Sequence, residues 1–296
     1  MRCSYPQQPG NDGQLSSPTS SPGSASMTSR DDELAFQREV TTVLLENLSQ
    51  HGFVLTGSGA LREHGIINRP TEDVDLFTNP QQSMNFQAAT CRAVQALKET
   101  GYDVEIGRDL ETFKNITITR EAQSVQVDFG VDYRGHAPAY MDVGAVLDID
   151  DAVGSKVSAL YGRHYPRDFL DVDAIRQSGR YSDEELLSAA EAQDPGFDRA
   201  YFSHILAGAK YLTVEEVGVY GIDAGQFQQI QHRLQEWASE LAGTAGVELD
   251  EIRSLRRADF PRQQQLGAGN HAEPGHNAAT APVQDRTQDG DIELDG

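Results

Sequence analysis

Apolar residues at Phe36, Val40, Val43, Leu44 and Leu48 recur at three- and four-residue intervals, the spacing of one buried helix face. Ser29 stands where a capping side chain would start that helix, which runs to about Gln50. Phe53, Val54 and Leu55 form a short unbroken apolar run that suits a strand. Gly57-Ser58-Gly59 then turns the chain into a short helix through Ala60 and Leu61, ending near Gly65. Val74 to Phe77 reads as the next strand, and residues 81–100 as a helix closed by Gly101. Three strand-like runs follow: Asp103 to Ile106, Phe113 to Thr119, and Val125 to Phe129, with a turn at Glu121-Ala122-Gln123. After that the periodicity is helical, over Asp150 to Tyr161, Pro166 to Arg176 with the proline in the first turn, 183–192, 197–209 and 224–242. Strands and helices mixed in the first half, then helices alone, predict an α+β fold in which a mixed sheet is followed by a helical C-terminal half.

The boundaries this suggests are an α/β domain over 29–148 and a helical domain over 149–261. Residues 1–28 and 262–296 are rich in small and polar residues, with too few aliphatic side chains to offset the entropy of ordering, and read as disordered tails. Met27 follows the first tail directly and is an alternative start. No run of 18 apolar residues exists, so no membrane span is expected, and the first residues lack the apolar core of a secretory signal. Cys3 and Cys91 suggest neither a disulfide framework nor a metal cluster, which fits a reducing cytoplasm. The formal charge of -22 lies mostly between the tails. Such a body repels polyanions at long range, so a nucleic-acid substrate needs a local basic strip.

The chemistry concentrates in residues 54–77. Asp73 and Asp75 sit two apart on a predicted strand, so both point to one face. Like charges side by side are costly to bury unless a cation compensates, and hard oxygen ligands of this kind suit magnesium, with manganese as the alternative. Gly57 and Ser58 fall at a strand-to-helix junction, where backbone N–H groups can meet a phosphate and the serine adds a hydroxyl. A third carboxylate is expected on a neighbouring strand. Asp128 is the best candidate, a lone acid among β-formers, and Asp132 at the strand exit is the alternative. Each piece alone is common in ordinary turns and surfaces; their order along the chain is what points to nucleotidyl transfer from a nucleoside triphosphate.

A second stretch, residues 152–175, supplies cations. Lys156 and Arg163 are seven apart, two helical turns, and can project from one face toward phosphate. Asp168 or Asp171 could orient the lysine or act as general base. The plainer reading is a solvated face with Arg167 and Asp171 as an i,i+4 pair.

These residues resemble a known family. Gly57-Ser58 with Ala60-Leu61, then Arg69, Thr71, Asp73, Val74, Asp75, Leu76 and Phe77, look like the first motif of AbiEii/AbiGii-type (MenT-like) nucleotidyltransferase toxins, within the DNA polymerase β-like superfamily. Lys156, Ala159, Leu160, Arg163, Arg167, Asp168, Phe169, Leu170 and Asp171 resemble the family's later lysine and aspartate motifs. The resemblance implies a polymerase-β-like fold, metal ligands at Asp73 and Asp75, and a nucleotide-binding set of Gly57, Ser58, Arg69, Lys156 and Arg163. It also implies a catalytic lysine at Lys156 and a later catalytic aspartate at Asp168 or Asp171. The activity implied is magnesium-dependent transfer of a nucleotide to the 3′ end of tRNA, restrained by a cognate antitoxin. Two other readings stay open. One keeps the chemistry but moves the nucleotide to a small cationic molecule such as an aminoglycoside, or to a protein. The other is a binding module that keeps the fold without catalysis. His51, His64 and His164 show no ligand spacing, and the region Glu215 to Leu241 with Trp237 reads as packing rather than active-site wall.

Overall fold

The structure, a computed structural model, describes residues 30–245. The Ser29 cap, Met27, Cys3 and both predicted tails lie outside the described residues. Among the described residues seven strands make one mixed sheet in the order β3-β4-β5-β2-β1-β7-β6. They are β1 (Val54–Leu55), β2 (Asp73–Thr78), β3 (Asp103–Asp109), β4 (Lys114–Arg120), β5 (Gln123–Val131), β6 (Ala139–Met141) and β7 (Gly144–Val146). β3, β4 and β5 form an antiparallel meander, while β2 runs parallel to β5 and β1 parallel to β7. With helices beside this sheet and after it, the α+β class holds.

Alternation along β2 decides which face carries chemistry. Val74, Leu76 and Thr78 are buried, and Asp73, Asp75 and Phe77 point the other way, partly buried. The buried face is covered by α1 (Arg30–Leu48) and α3 (Phe86–Glu99), with Phe53 packing on Phe86 and Phe129. α3 starts later than the predicted 81. Asn79 accepts from the Gln82 N–H and Pro80 opens a short 3₁₀ turn, so residues 80–85 are not part of the α-helix. Cys91 lies on α3, with the buried Lys114 ammonium 3.8 Å from its sulfur.

The helices that follow are α4 (Ile149–Arg163), α5 (Pro166–Gln177), α6 (Asp183–Gln193), α7 (Arg199–Ala207), α8 (Val214–Gly218) and α9 (Ala224–Ala245). Gly154 explains how closely α4 and α6 approach: a Cβ there would stand 2.6 Å from the Ala189 carbonyl oxygen. α4 stops at His164, which adopts a left-handed conformation (φ 56°), and Pro166 then starts α5 in a new direction. α9 is anchored by the buried Trp237, edge-on to Phe202 at 5.6 Å and under the Arg176 guanidinium at 4.9 Å. Trp237 is therefore packing, as its sequence context suggested.

Candidate active site

The site forms where the short helix α2 (Gly57–Glu63) meets β2, β5, α4 and α5. Parallel pairing sets Asp75 directly opposite Asp128, and Asp73 opposite Gln126. Asp128 is buried at 3% exposure and accepts a hydrogen bond from the Asn115 amide, its cross-strand neighbour on β4. Asp132 is not in this group. Its N–H donates to the Thr78 carbonyl at the far end of β2, and its carboxylate accepts from the Tyr133 N–H.

Burial pushes the Asp75 carboxyl up to about 7, helped by the charges of Asp73 and Asp128 and opposed by Lys156 and Arg163. Acids crowded in this way favour a bound cation. Among the described residues no three His, Cys, Asp or Glu side chains gather closely enough to hold a metal ion by themselves. The donor chemistry nevertheless fits magnesium, which is commonly held by one or two carboxylates with substrate phosphate and water completing the shell. Asp73 and Asp75 are the members that fit this role, with Asp128 beside them and tied to Asn115.

Gly57 has φ 59°, a conformation that L side chains adopt at a cost. A Cβ there would also overlap the Asp75 carboxylate. Gly57→Ala is therefore expected to lower stability by about 1–3 kcal/mol, from combined backbone strain and displacement of Asp75. A urea melt measures this; an unchanged midpoint would show that the Asp75 carboxylate tolerates displacement.

Across from the acids lies a buried ionic network. Lys156 Nζ is 3.1 Å from Ser58 Oγ, 3.0 Å from Asp171 Oδ2 and 3.4 Å from Asp168 Oδ1. Ser58 donates to Asp171 Oδ2 at 3.0 Å. Arg69 forks onto Asp171, with Nε to Oδ1 at 2.6 Å and Nη2 to Oδ2 at 2.7 Å. Arg163 forks onto Asp168 at 2.8 and 2.9 Å. Both aspartates are fully buried. Burial alone would push their carboxyls up. Lys156 and Arg163 overcome that at Asp168 and hold it down at about 2, and Lys156 with Arg69 lowers Asp171. Their stabilisation is present above the ordinary carboxylate range and is lost as pH falls through the lowered values.

The structure thus brings together Gly57, Ser58, Arg69, Lys156, Arg163, Asp168 and Asp171, and sets Asp75 against Gly57 within reach of the Lys156 and Arg163 charges. The i,i+4 pair of Arg167 with Asp171 does not form. Arg167 lies 3.5 Å from Glu72 and over the Tyr165 ring, and Asp171 turns inward. Sequence reasoning missed Asn115, which steadies Asp128, and Tyr220, whose ring lies 5.1 Å from the Arg69 guanidinium carbon. Neither carries a local signal. His51 meets Arg92, and His64 meets the Leu147 carbonyl, both away from the acids.

A family model described as nucleotidyl transferase AbiEii toxin, type IV TA system, matches residues 42–281. Among solved structures, JHP933 from Helicobacter pylori aligns at 16% identity with a TM-score of 0.49, covering 74% of this chain and 96% of that one. MenT4, a nucleotidyltransferase toxin from Mycobacterium tuberculosis, aligns at 14% identity with a TM-score of 0.47, covering 76% and 88%. No curated protein matches. Among the described residues no helix is long and apolar enough to cross a membrane.

Proposed function

Since the chain belongs to the AbiEii family of nucleotidyl transferase toxins of type IV toxin–antitoxin systems, we propose that it moves a nucleoside monophosphate from a nucleoside triphosphate to an acceptor hydroxyl, acting in the cytoplasm on tRNA. The observation that carries this reading is the convergence of Ser58 from α2, Lys156 from α4 and Asp171 from α5 on one hydrogen-bonded point, with Asp75 packed against the adjoining Gly57.

In this reading Asp73 and Asp75, with Asp128 beside them, hold magnesium, which when bound supplies Lewis-acid stabilisation of charge on the reacting phosphate. The α2 N-terminus presents its backbone to the outer phosphates. The acceptor hydroxyl gives its proton to water as its oxygen forms a bond to the α-phosphorus, the bond to the bridging oxygen breaks, and pyrophosphate leaves. Lys156 and Arg163 offset the negative charge on the phosphates. Asp168 and Asp171 are each engaged by two cations, so they serve as anchors; a carboxylate held that low is a poor general base. Arg163 and Arg167, over the Tyr165 ring at 5.2 and 5.5 Å, form the local basic and aromatic strip that an RNA acceptor needs on so acidic a body. The family implies a cognate antitoxin as partner. The charge of -22 keeps a second reading open, in which a cationic small molecule is the acceptor.

Incubating the protein with each labelled triphosphate, magnesium and total tRNA, then separating tRNA, protein and small molecules, tests the proposal. Label in tRNA supports it; label only in small molecules transfers the reading to the second acceptor class. A titration adds a pH test. Cation binding at Asp75 competes with its proton, so divalent-metal affinity should fall by up to about tenfold per unit below pH 7 and level off above it. Calorimetry with manganese across that range reads this directly; a flat profile would remove Asp75 from the ligand set.

A further inference from the structure

Arg69 sits on the segment between α2 and β2, and resemblance alone groups it with nucleotide ligands. Its guanidinium is spoken for inside the protein. Nε donates to Asp171 Oδ1, Nη2 donates to Asp171 Oδ2 and, at 2.9 Å, to Ser58 Oγ, and Nη1 donates to the Pro70 carbonyl at 2.8 Å. The side chain is 7% exposed, and the Tyr220 ring covers it. A guanidinium has five N–H donors, and these contacts use four. Little remains to meet a phosphate.

The groups Arg69 touches are those that face the site. A serine hydroxyl has one proton and two lone pairs. Ser58 gives its proton to Asp171 and receives from Lys156 and Arg69, so its rotamer is fully determined. Asp171 in turn takes the fork from Arg69 with both oxygens, and its Oδ2 also meets Ser58 and Lys156. One planar cation therefore ties the loop before β2 to α2 and α5, and through Asp171 sets where the Lys156 ammonium stands.

The geometry points to Arg69 as a positioning residue: locked to Asp171, it fixes Ser58 and Lys156 in place and does not itself bind the nucleotide. This rests on the proposed transfer reaction for its consequence, though not for its geometry. It makes Arg69 and Asp171 one unit. Lysine cannot replace the fork, because a point charge cannot bind both carboxylate oxygens while holding Ser58. Loss of either member should then do the same damage, and loss of both no more.

The test compares Arg69→Lys, Asp171→Asn and the double variant in the labelled-triphosphate assay, with circular dichroism confirming that each is folded. Each single change is expected to lower kcat by about 10- to 100-fold with KM for the triphosphate within about threefold, and the double variant to match the worse single. Multiplicative losses in the double, or a tenfold rise in KM with kcat retained in Arg69→Lys, would overturn the inference and make Arg69 a nucleotide ligand. A second readout needs neither turnover nor a substituted protein. In protein carrying ¹⁵N-arginine, the Arg69 Nε–H resonance should exchange slowly with water and stay in place on adding magnesium and ATP. Fast exchange, or a shift on adding nucleotide, overturns the inference. If the wild-type protein transfers nothing while that resonance is slow and unmoved, the transfer reading fails and the positioning of Arg69 stands.

Discussion

Asp75→Asn is expected to lower nucleotide transfer by at least about 10³-fold, roughly 4 kcal/mol of transition-state stabilisation, and at the same time to raise the melting temperature. The two effects share one cause. Asp75 stands against Gly57 and opposite Asp128, and burial with its acidic neighbours pushes its carboxyl up to about 7. A folded-state value above the unfolded one means that the native protein holds the proton more tightly than the unfolded chain does. Stability from this group is complete below about pH 4 and is lost as pH rises toward 7. Asparagine keeps the shape and removes the charge. Its melting temperature should match the wild type near pH 4.5 and exceed it by a few degrees at pH 8 without metal, an effect on the order of 1–2 kcal/mol. Calorimetric melts at the two pH values, beside the transfer assay, measure both. An asparagine variant that is both active and less stable at pH 8 would contradict the assigned role.

Asp171→Ala carries the largest expected loss of stability, about 3–5 kcal/mol. The side chain is fully buried and meets two cations, Arg69 and Lys156, which are themselves almost fully buried. Removing it takes away the carboxylate partner of Arg69, which keeps only Ser58 Oγ and the Pro70 carbonyl, and leaves Lys156 with the longer 3.4 Å contact to Asp168. Glu191→Ala is the control: Glu191 pairs with Arg199 at 2.6 Å on the surface, where such pairs contribute within about 1 kcal/mol. Urea midpoints for the two variants should differ several-fold in their displacement. Equal, small displacements would show that the Asp171 network relaxes freely, leaving Ser58 and Lys156 without a rigid support.

Local rules made part of this site readable. The i,i+2 spacing of Asp73 and Asp75 places both on one face wherever a strand forms, and Gly57-Ser58 marks the strand-to-helix turn without knowledge of the rest. Asp128 stood out because a charge among β-formers has few reasons to be there. The inward turn of Asp171 is not readable from the sequence, because its partners lie 102 positions away at Arg69 and 113 at Ser58. The same holds for Tyr220, which reaches Arg69 from beyond α8. β6 and β7 escaped notice for a different reason: three residues each are too few to show alternation. α8 does carry a local signal, a capping box of Thr213 and Glu216, but the helix is only five residues long. The helix ends were misjudged where short 3₁₀ turns replace α-helix, at residues 80–85 and again at Gly208–Tyr211.

Manganese diffraction decides most directly whether the acidic face and the Ser58–Lys156 network make one reaction centre. Crystals grown with a non-hydrolysable triphosphate and Mn²⁺ should show an anomalous peak about 2.1–2.3 Å from oxygens of Asp73 and Asp75, with the triphosphate lying between that peak and Lys156. A peak bound elsewhere, or a triphosphate that leaves Asp75 and Lys156 untouched, would contradict it.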